Sequence, residues 1–196
     1  MSTPEREIKF EGIVYAPQYD DAAPGKQFLG AIVQCSDGKR WVVDYAEQSP
    51  FHLFAGRRVL VSGKPYTPTG QHLISVDGSL RHLKVSTMRL LDVAPDAHFL
   101  EVGSERQLSG RFELRDGGTG QSGLRFVTDE GNSFAVVNNP IGAEIGARVD
   151  VRAFPISLSA SAPDATEQSL WITCPYSAAQ LWEWRKRNSA GPGGIV

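Results

Sequence analysis

The sequence is poor in the residue types that build covalent or metal-centred sites. Its 196 residues include only two cysteines, Cys35 and Cys174, and four histidines. Two cysteines are too few for a disulfide framework, and both lie in apolar stretches, where cysteine usually acts as a small buried hydrophobe. No histidine has metal-ligand spacing to another histidine or to a cysteine. We therefore expect neither a metal nor a cofactor.

Long apolar runs are also missing. No stretch reaches the roughly eighteen apolar residues of a membrane span. The N-terminus, which begins Met1-Ser2-Thr3-Pro4, lacks the basic and apolar regions of a signal peptide. These absences predict a soluble, cytoplasmic protein with no membrane partner.

The charge is close to balanced, with 20 Lys and Arg against 22 Asp and Glu. Residues 1–93 carry 11 against 10, and residues 94–196 carry 9 against 12. Neither half has the strongly basic composition of a nucleic-acid clamp. The apolar content of 41% is that of a globular protein, not of a disordered one.

Catalytic motifs are equally scarce. The Gly-rich run at residues 117–123 lacks the Gly-Lys-Ser/Thr ending of a phosphate loop, so we interpret it as a hairpin loop. The adjacent Asp20 and Asp21 are interpreted as turn residues instead of cation ligands. No arrangement supplies a nucleophile, a base and an orienting partner. We expect a protein that is not an enzyme.

The sequence does contain an internal repeat. Residues 30–43 align without a gap with residues 123–136, at an offset of 93. Each copy has an alternating apolar run, a tight turn with an acidic residue before Gly, and a second run opened by an aromatic. This pattern predicts a β-hairpin in each copy.

The repeat continues on both sides of the hairpin. Three further pairs correspond: Gly12 with Gly110, Gly56 with Gly146, and Pro65 with Pro155. A final apolar run follows in each copy, at residues 73–76 and 170–173. Residues 49–54 of the first copy predict one helical turn that begins at Ser-Pro, and the matching connector, residues 139–142, is shorter.

Each copy therefore predicts five short strands. This element order and the repeated glycines resemble the OB-fold, a small, partly open Greek-key barrel. The predicted fold class is all-β with a short C-terminal helix, built from two small five-stranded OB-like barrels in tandem. An SH3-like barrel or a split β-sandwich is the alternative.

The predicted organisation has four segments. Residues 8–93 form the first barrel and residues 94–105 a linker. Residues 106–187 form the second barrel with a C-terminal helix capped by Ser177, and residues 188–196 form a disordered tail. Residues 79–91 either extend a strand or add an edge to the first barrel.

Alternation along the hairpin strands assigns side chains to two faces. The predicted inward set is Ala31, Val33, Cys35, Trp41 and Val43, with Leu124, Phe126, Thr128, Phe134 and Val136 in the second copy. The predicted outward set is Ile32, Gln34, Arg40, Val42 and Asp44, with Arg125, Val127, Ser133, Ala135 and Val137. Phe28 is then the one obvious aromatic candidate for the outer surface.

The expected function is a non-enzymatic binding module that docks a partner protein as an adaptor, regulator or inhibitor. The near-neutral charge, the inward aromatics and the apolar outward positions favour it. Trp182 and Trp184 of the C-terminal helix cannot share one narrow stripe. One of them can stay partly exposed beside Arg185, as an anchor that protein interfaces favour. The equal alternative is that both tryptophans cover the open end of the second barrel.

The alternative is a single-stranded nucleic-acid (DNA or RNA) binding protein, by analogy of architecture. It requires a groove that combines basic residues with Phe28 and Tyr66. The basic groups are Arg57 and Arg58, Lys64, and the stretch Arg81, His82 and Lys84; a solvated barrel rim is the other interpretation. The candidate binding residues are Phe28, Ile32, Arg40, Val42, Arg57, Arg58, Lys64, Tyr66, Trp182, Trp184 and Arg185.

Overall fold

The computed structural model describes residues 6–20, 27–68, 80–93, 97–115, 123–159 and 168–188. Over these ranges the chain is mostly β with a short C-terminal helix, which confirms the predicted fold class. The chain divides into two compact units, residues 1–105 with 155–165 and residues 106–154 with 166–196. The predicted strand at 73–76, most of the Gly-rich run, Asp21 and the predicted tail lie outside the described residues.

The first unit contains a closed five-stranded barrel. Its strands are β1 (Ile8–Tyr15), β2 (Ala31–Gln34), β3 (Arg40–Asp44), β4 (Arg58–Tyr66) and β5 (Leu80–Leu90), followed by β6 (Phe99–Gly103). Backbone pairing runs β1-β2-β3-β5-β4 and returns to β1, and β6 pairs with β5. The β3–β5 pairing is parallel and the others are antiparallel. This architecture is compatible with an OB-like barrel.

Local sequence signals explain two elements of this unit. The β2–β3 hairpin turns at Gly38, whose φ of 80° suits glycine, and the Asp37 carboxylate accepts the Lys39 backbone N–H at 3.0 Å. A 3-10 helix covers Pro50–Phe54, where the Ser49 hydroxyl accepts the backbone N–H of Phe51. The predicted hairpin and the predicted helical turn are both confirmed.

The strand that closes the first barrel is β5, at Leu80–Leu90. It falls in the stretch 79–91 that the sequence interpretation treated as an extension or an added edge. Strand β6, at Phe99–Gly103, falls in the segment predicted as a linker. The barrel interior is filled by aliphatic side chains that are at most 2% exposed: Val14, Val33, Val59, Val61, Leu83 and Met88.

The second unit consists mainly of β7 (Arg106–Arg115), β8 (Gly123–Thr128), β9 (Ser133–Val136), β10 (Arg148–Leu158), β11 (Ser169–Thr173) and α1 (Ala178–Asn188). Pairing runs β7-β8-β9-β11-β10 and returns to β7, with β9–β11 parallel. Residues 155–158 at the end of β10 belong to the first unit. There Ile156 is paired with Val102 of β6.

The second unit also confirms predicted local elements. Its β8–β9 hairpin turns at Gly131, with a φ of 86°, at the predicted offset of 93 from Gly38. Helix α1 begins with a capping box: the Ser177 hydroxyl accepts the Gln180 N–H, and the Gln180 side chain accepts the Ser177 N–H. Within the described ranges, no helix is long and apolar enough to cross a membrane.

Candidate ligand-binding face of the first unit

Five outward positions lie side by side across the first barrel. Backbone register pairs Tyr15 with Ile32, Ile32 with Val42, Val42 with His82 and His82 with Tyr66. We call these five residues the outer row. Tyr15 and Tyr66, at its two ends, are 60% and 40% exposed. The row therefore presents an exposed ring at each end of a strip whose middle positions are apolar or neutral.

Tyr45, the residue that follows β3, connects the outer row to Phe28. Its ring stacks on His82 with centroids 5.7 Å apart, and its hydroxyl hydrogen-bonds to His82 Nε2. Phe28 meets Tyr45 edge-on at 5.8 Å, and Tyr66 meets His82 at 5.6 Å. These spacings are those of favourable aromatic pairs. We call Phe28, Tyr45, His82 and Tyr66 the aromatic cluster.

The aromatic cluster borders two connections of the barrel. Phe28 lies at the end of the β1–β2 connection, whereas Tyr66 and His82 lie on the strands that flank the β4–β5 connection. In OB-folds the face of strands 2 and 3, together with these two connections, is the surface that binds oligonucleotides and oligosaccharides. The cluster is therefore at the place where this architecture offers a ligand surface.

Burial keeps the aromatic cluster uncharged near neutral pH. Desolvation lowers the pKa of His82 below its ordinary value of 6.5. Burial, and to a lesser extent the nearby Tyr66, raises the pKa of Tyr45. Burial, and to a lesser extent the charge of Asp44, raises the pKa of Tyr66. The cluster thus offers ring faces and hydrogen-bonding groups, and any positive charge must come from residues around it.

Two lysines supply positive charge beside the cluster. Lys64 and Lys84 are both exposed and lie directly opposite each other on β4 and β5. They form the next outward-facing pair after Tyr66 and His82, two residues away on each strand. Two residues along a strand span about 7 Å. Within the described residues, neither lysine makes an ion pair. Like charges directly opposite destabilise a sheet, so a bound anion would relieve their repulsion.

The predicted candidates Phe28, Ile32, Arg40, Lys64 and Tyr66 all lie on or beside this face. Val42, also a predicted binding candidate on the outward face, is only 1% exposed, so its side chain offers little surface to a ligand. Its position does face outward. Its short side chain lies between the larger side chains of its strand partners Ile32 and His82, so it is the most recessed position of the outer row.

The remaining basic candidates are directed elsewhere. Arg58 begins β4, about 20 Å from Lys64 at the rise of a β-strand, and Arg57 precedes it. Arg58 pairs with Glu11 at 2.6 Å, and Arg57 donates to the carbonyl of Asp92 at 2.7 Å. They do not share a groove with the aromatic cluster.

Three candidates belong to helix α1 of the second unit. Trp182 is 48% exposed, and the Lys186 ammonium lies 5.3 Å from its ring centroid. Trp184 and Arg185 are half-buried. Lys186 is therefore the cation that contacts the exposed tryptophan. The sequence had predicted Arg185 beside it instead.

Some predicted face assignments are wrong in degree. Cys35 is half-buried, not in the core, because it lies just beyond the end of β2; partial desolvation raises the pKa of its thiol. Ala135, predicted outward, is buried, with 4% of its surface exposed. Leu124, Phe134 and Val136 pack against the core of the second unit but are only partly buried.

Sequence reasoning missed two members of the aromatic cluster. Tyr45 lies one residue past the end of β3, so alternation along the hairpin did not assign it to the outer surface. His82 was noted only as a basic group, because its pairing with Val42 depends on the register of β3 against β5. The exposure of Tyr15 follows from alternation along β1, a signal that the sequence carries.

In the parts of the chain that the structure describes, no three His, Cys, Asp or Glu side chains are grouped to hold a metal ion. Comparisons with protein-family models, with curated proteins and with solved structures found no match.

Proposed function

We propose that the protein is a non-enzymatic binder of single-stranded nucleic acid, and that the outer face of the first unit is the binding surface. The observation that carries the proposal is the adjacency of two registered pairs, Tyr66–His82 and Lys64–Lys84. Proteins that bind single strands combine rings on which bases stack with cationic groups that follow the phosphate backbone. Here the two kinds of group alternate along neighbouring strands.

The chemistry of the face favours bases over a charged peptide. Near neutral pH the rings of the cluster are uncharged, and the Asp44 carboxylate already accepts the backbone N–H groups of Tyr45 and Ala46. Every base has a face that can stack, so we expect weak sequence preference. Because phosphate contacts release counterions, binding weakens as salt rises.

We infer further that the two units are OB-like barrels in tandem. The two cycles of strand pairing have the same order and each contains one parallel pair. Equivalent glycines support the inference: the N–H of Gly56 donates to the carbonyl of Val14, and the N–H of Gly146 donates to that of Phe112, both at 2.8 Å.

The second unit differs at four of the five positions that match the outer row. Register across β7, β8, β9 and β11 gives Glu113, Arg125, Ala135 and Ser169. None of these side chains is a stacking platform. Because of this difference, we assign nucleic-acid binding to the first unit.

Fluorescence anisotropy with a short labelled oligothymidine, at low and at physiological salt, tests the proposed function. We expect Tyr66→Ala to weaken binding by about 1–3 kcal/mol, the usual loss for one stacked base. Tyr66→Phe keeps the ring and should bind like the wild type. Trp182→Ala, an exposed aromatic of the second unit, is the matched control. Absence of binding at low salt, or unchanged affinity in Tyr66→Ala, contradicts the proposal.

A second candidate function, docking of a partner protein, is favoured by Trp182. This large side chain is half-exposed on α1, and tryptophan is a common energetic anchor of protein interfaces. The partner would be bound by the second unit, in an adaptor, regulator or inhibitor role. A pull-down with the full chain and with Trp182→Ala tests it. Equal recovery of the same partner by both proteins, or of none by either, argues against this candidate.

A further inference from the structure

One end of the first barrel opens into a cavity of about 700 Å³. This volume is within the range of about 300–1,000 Å³ that is usual for small-molecule sites. Its wall is formed by residues of four barrel strands and of the β2–β3 turn, among them Ile8, Phe10, Cys35, Trp41, Pro65 and Arg81. The cavity is distinct from the outer row, because no residue of that row or of the aromatic cluster lines it.

The cavity has a flat apolar wall with a cation at one side. The ring of Phe10 stacks on Trp41 with centroids 5.4 Å apart and an interplanar angle of 23°. The guanidinium of Arg81 lies over the Trp41 ring, 5.6 Å from its centroid. Trp41 is only 7% exposed, so this wall is held in place by packing.

The charges around the cavity do not cancel. Lys39 is paired with Asp37 and Glu11 with Arg58, each at 2.6 Å. Two further cations that line the cavity, Lys9 and Arg81, have no acidic partner among the described residues. The cavity therefore has an uncompensated positive charge beside apolar rings.

We propose that this cavity binds a nucleotide, with the phosphate between Arg81 and Lys9 and the base against Phe10 and Pro65. A phosphate monoester carries a charge of about −1.5 to −2 at pH 7, which two cations match. A free mononucleotide and the phosphorylated end of a nucleic-acid strand share this chemistry. With a strand end the proposal rests on the function proposed above; with a free mononucleotide it stands without that function.

The indole N–H resonance of Trp41, assigned with Trp41→Phe, reports on the cavity directly. We expect AMP to shift this resonance saturably and adenosine, which lacks the phosphate, to bind at least about tenfold more weakly. Arg81→Gln and Lys9→Gln should each weaken AMP binding, the former by at least about tenfold. Arg89→Gln removes an exposed cation at the other end of β5 and is the matched control. Unchanged thermal midpoints in the variants show that the barrel is intact.

An oligothymidine with and without a 5′-phosphate separates the two sources. A Trp41 shift that requires the 5′-phosphate identifies a strand end, whereas a shift with AMP alone identifies a free nucleotide. The inference is overturned if neither probe shifts Trp41, if adenosine and AMP bind equally, or if Arg81→Gln binds AMP like the wild type. If AMP shifts Trp41 but Tyr66→Ala leaves oligothymidine affinity unchanged, the cavity stands and the function proposed for the outer face fails.

Discussion

Lys64 and Lys84 lie directly opposite each other across β4 and β5, beside the Tyr66–His82 pair. If they contact phosphates, Lys64→Ala and Lys84→Ala should each weaken oligothymidine binding and lower the slope of log affinity against log salt by about 0.7. Removing either charge should also leave the protein as stable or more stable, by about 0.2–1 kcal/mol, because like charges no longer face each other. Anisotropy across a salt series and thermal unfolding provide the two measurements.

Arg89→Ala is the control for the lysine variants, since Arg89 is an exposed cation at the far end of β5. Its salt slope should equal that of the wild type. Equal slopes in the wild type, Lys64→Ala and Lys84→Ala would show that the lysines contact no phosphate, whatever the affinity.

Gly12 and Gly110 each lie where a neighbouring strand comes too close for a side chain. A Cβ added at Gly12 would lie 2.6 Å from the carbonyl oxygen of Gln34, and one added at Gly110 would overlap the carbonyl oxygen of Val127. Because backbone cannot move aside cheaply, Gly12→Ala and Gly110→Ala should each lower the free energy of unfolding by about 2–3 kcal/mol or more. Urea denaturation measures the loss.

Gly131→Asn is a matched control for these glycine variants. Gly131 has a positive φ but open space where a side chain would be, and Asn tolerates this backbone region. The control should cost less than the two alanine variants. If Gly110→Ala unfolds at the wild-type urea concentration, the strand contact is looser than the structure indicates.

His52 makes stability depend on pH. Its Nε2 is buried without a hydrogen-bond partner in the described residues, and desolvation lowers the pKa of the ring from its ordinary 6.5. The unfolded chain therefore takes up a proton first as pH falls. The free energy of unfolding should decrease from about pH 7.5 through 6.5 until the lower pKa of the folded state is reached.

His52→Gln should flatten this decrease, as measured by urea unfolding at a series of pH values. His82 has a pKa lowered in the same direction, so His52→Gln combined with His82→Gln should flatten it further. If the free energy of unfolding of His52→Gln depends on pH as the wild type's does, groups other than His52 cause the decrease.

Asn138 extends the β9–β11 pairing beyond the last backbone bonds of β9. Its amide donates to the carbonyl of Ile172 at 2.8 Å, and its side-chain oxygen accepts the Ile172 N–H at 2.9 Å. Asn138→Ala leaves both groups of a buried residue unpaired and should destabilise the protein by about 1–3 kcal/mol. Thermal unfolding of this variant beside Asn132→Ala, an exposed turn residue, measures the difference; equal midpoints would contradict it.

The features that sequence predicted are those with local causes. The two hairpins follow from alternation and from glycines that adopt positive φ at Gly38 and Gly131. The 3-10 helix and α1 follow from Ser49 and Ser177, whose hydroxyls accept backbone N–H groups at the helix starts. Such signals lie within a few residues of the structure that they specify.

The features that sequence missed depend on register between distant strands. The closing strand of the first barrel is set by pairing of residues 40–42 with residues 80–82, which no short pattern reveals. The same pairing brings His82 next to Val42. Tyr45 and Tyr66 then both contact the ring of His82. The aromatic cluster therefore could not be predicted without the register of the closed barrel, although Phe28 and Tyr66 were both predicted candidates.

The discontinuity of the first unit has a consequence for its synthesis on the ribosome. Val102 of β6 is registered with Met88 on one side and with Ile156 on the other. Ile156 is translated only after most of the second unit, so one edge of β6 has no partner during that interval. An unpaired edge can pair with a neighbouring nascent chain. Synthesis from the N-terminus thus leaves this edge open to aggregation while residues 106–155 are being made, and slowing translation there should increase the insoluble fraction.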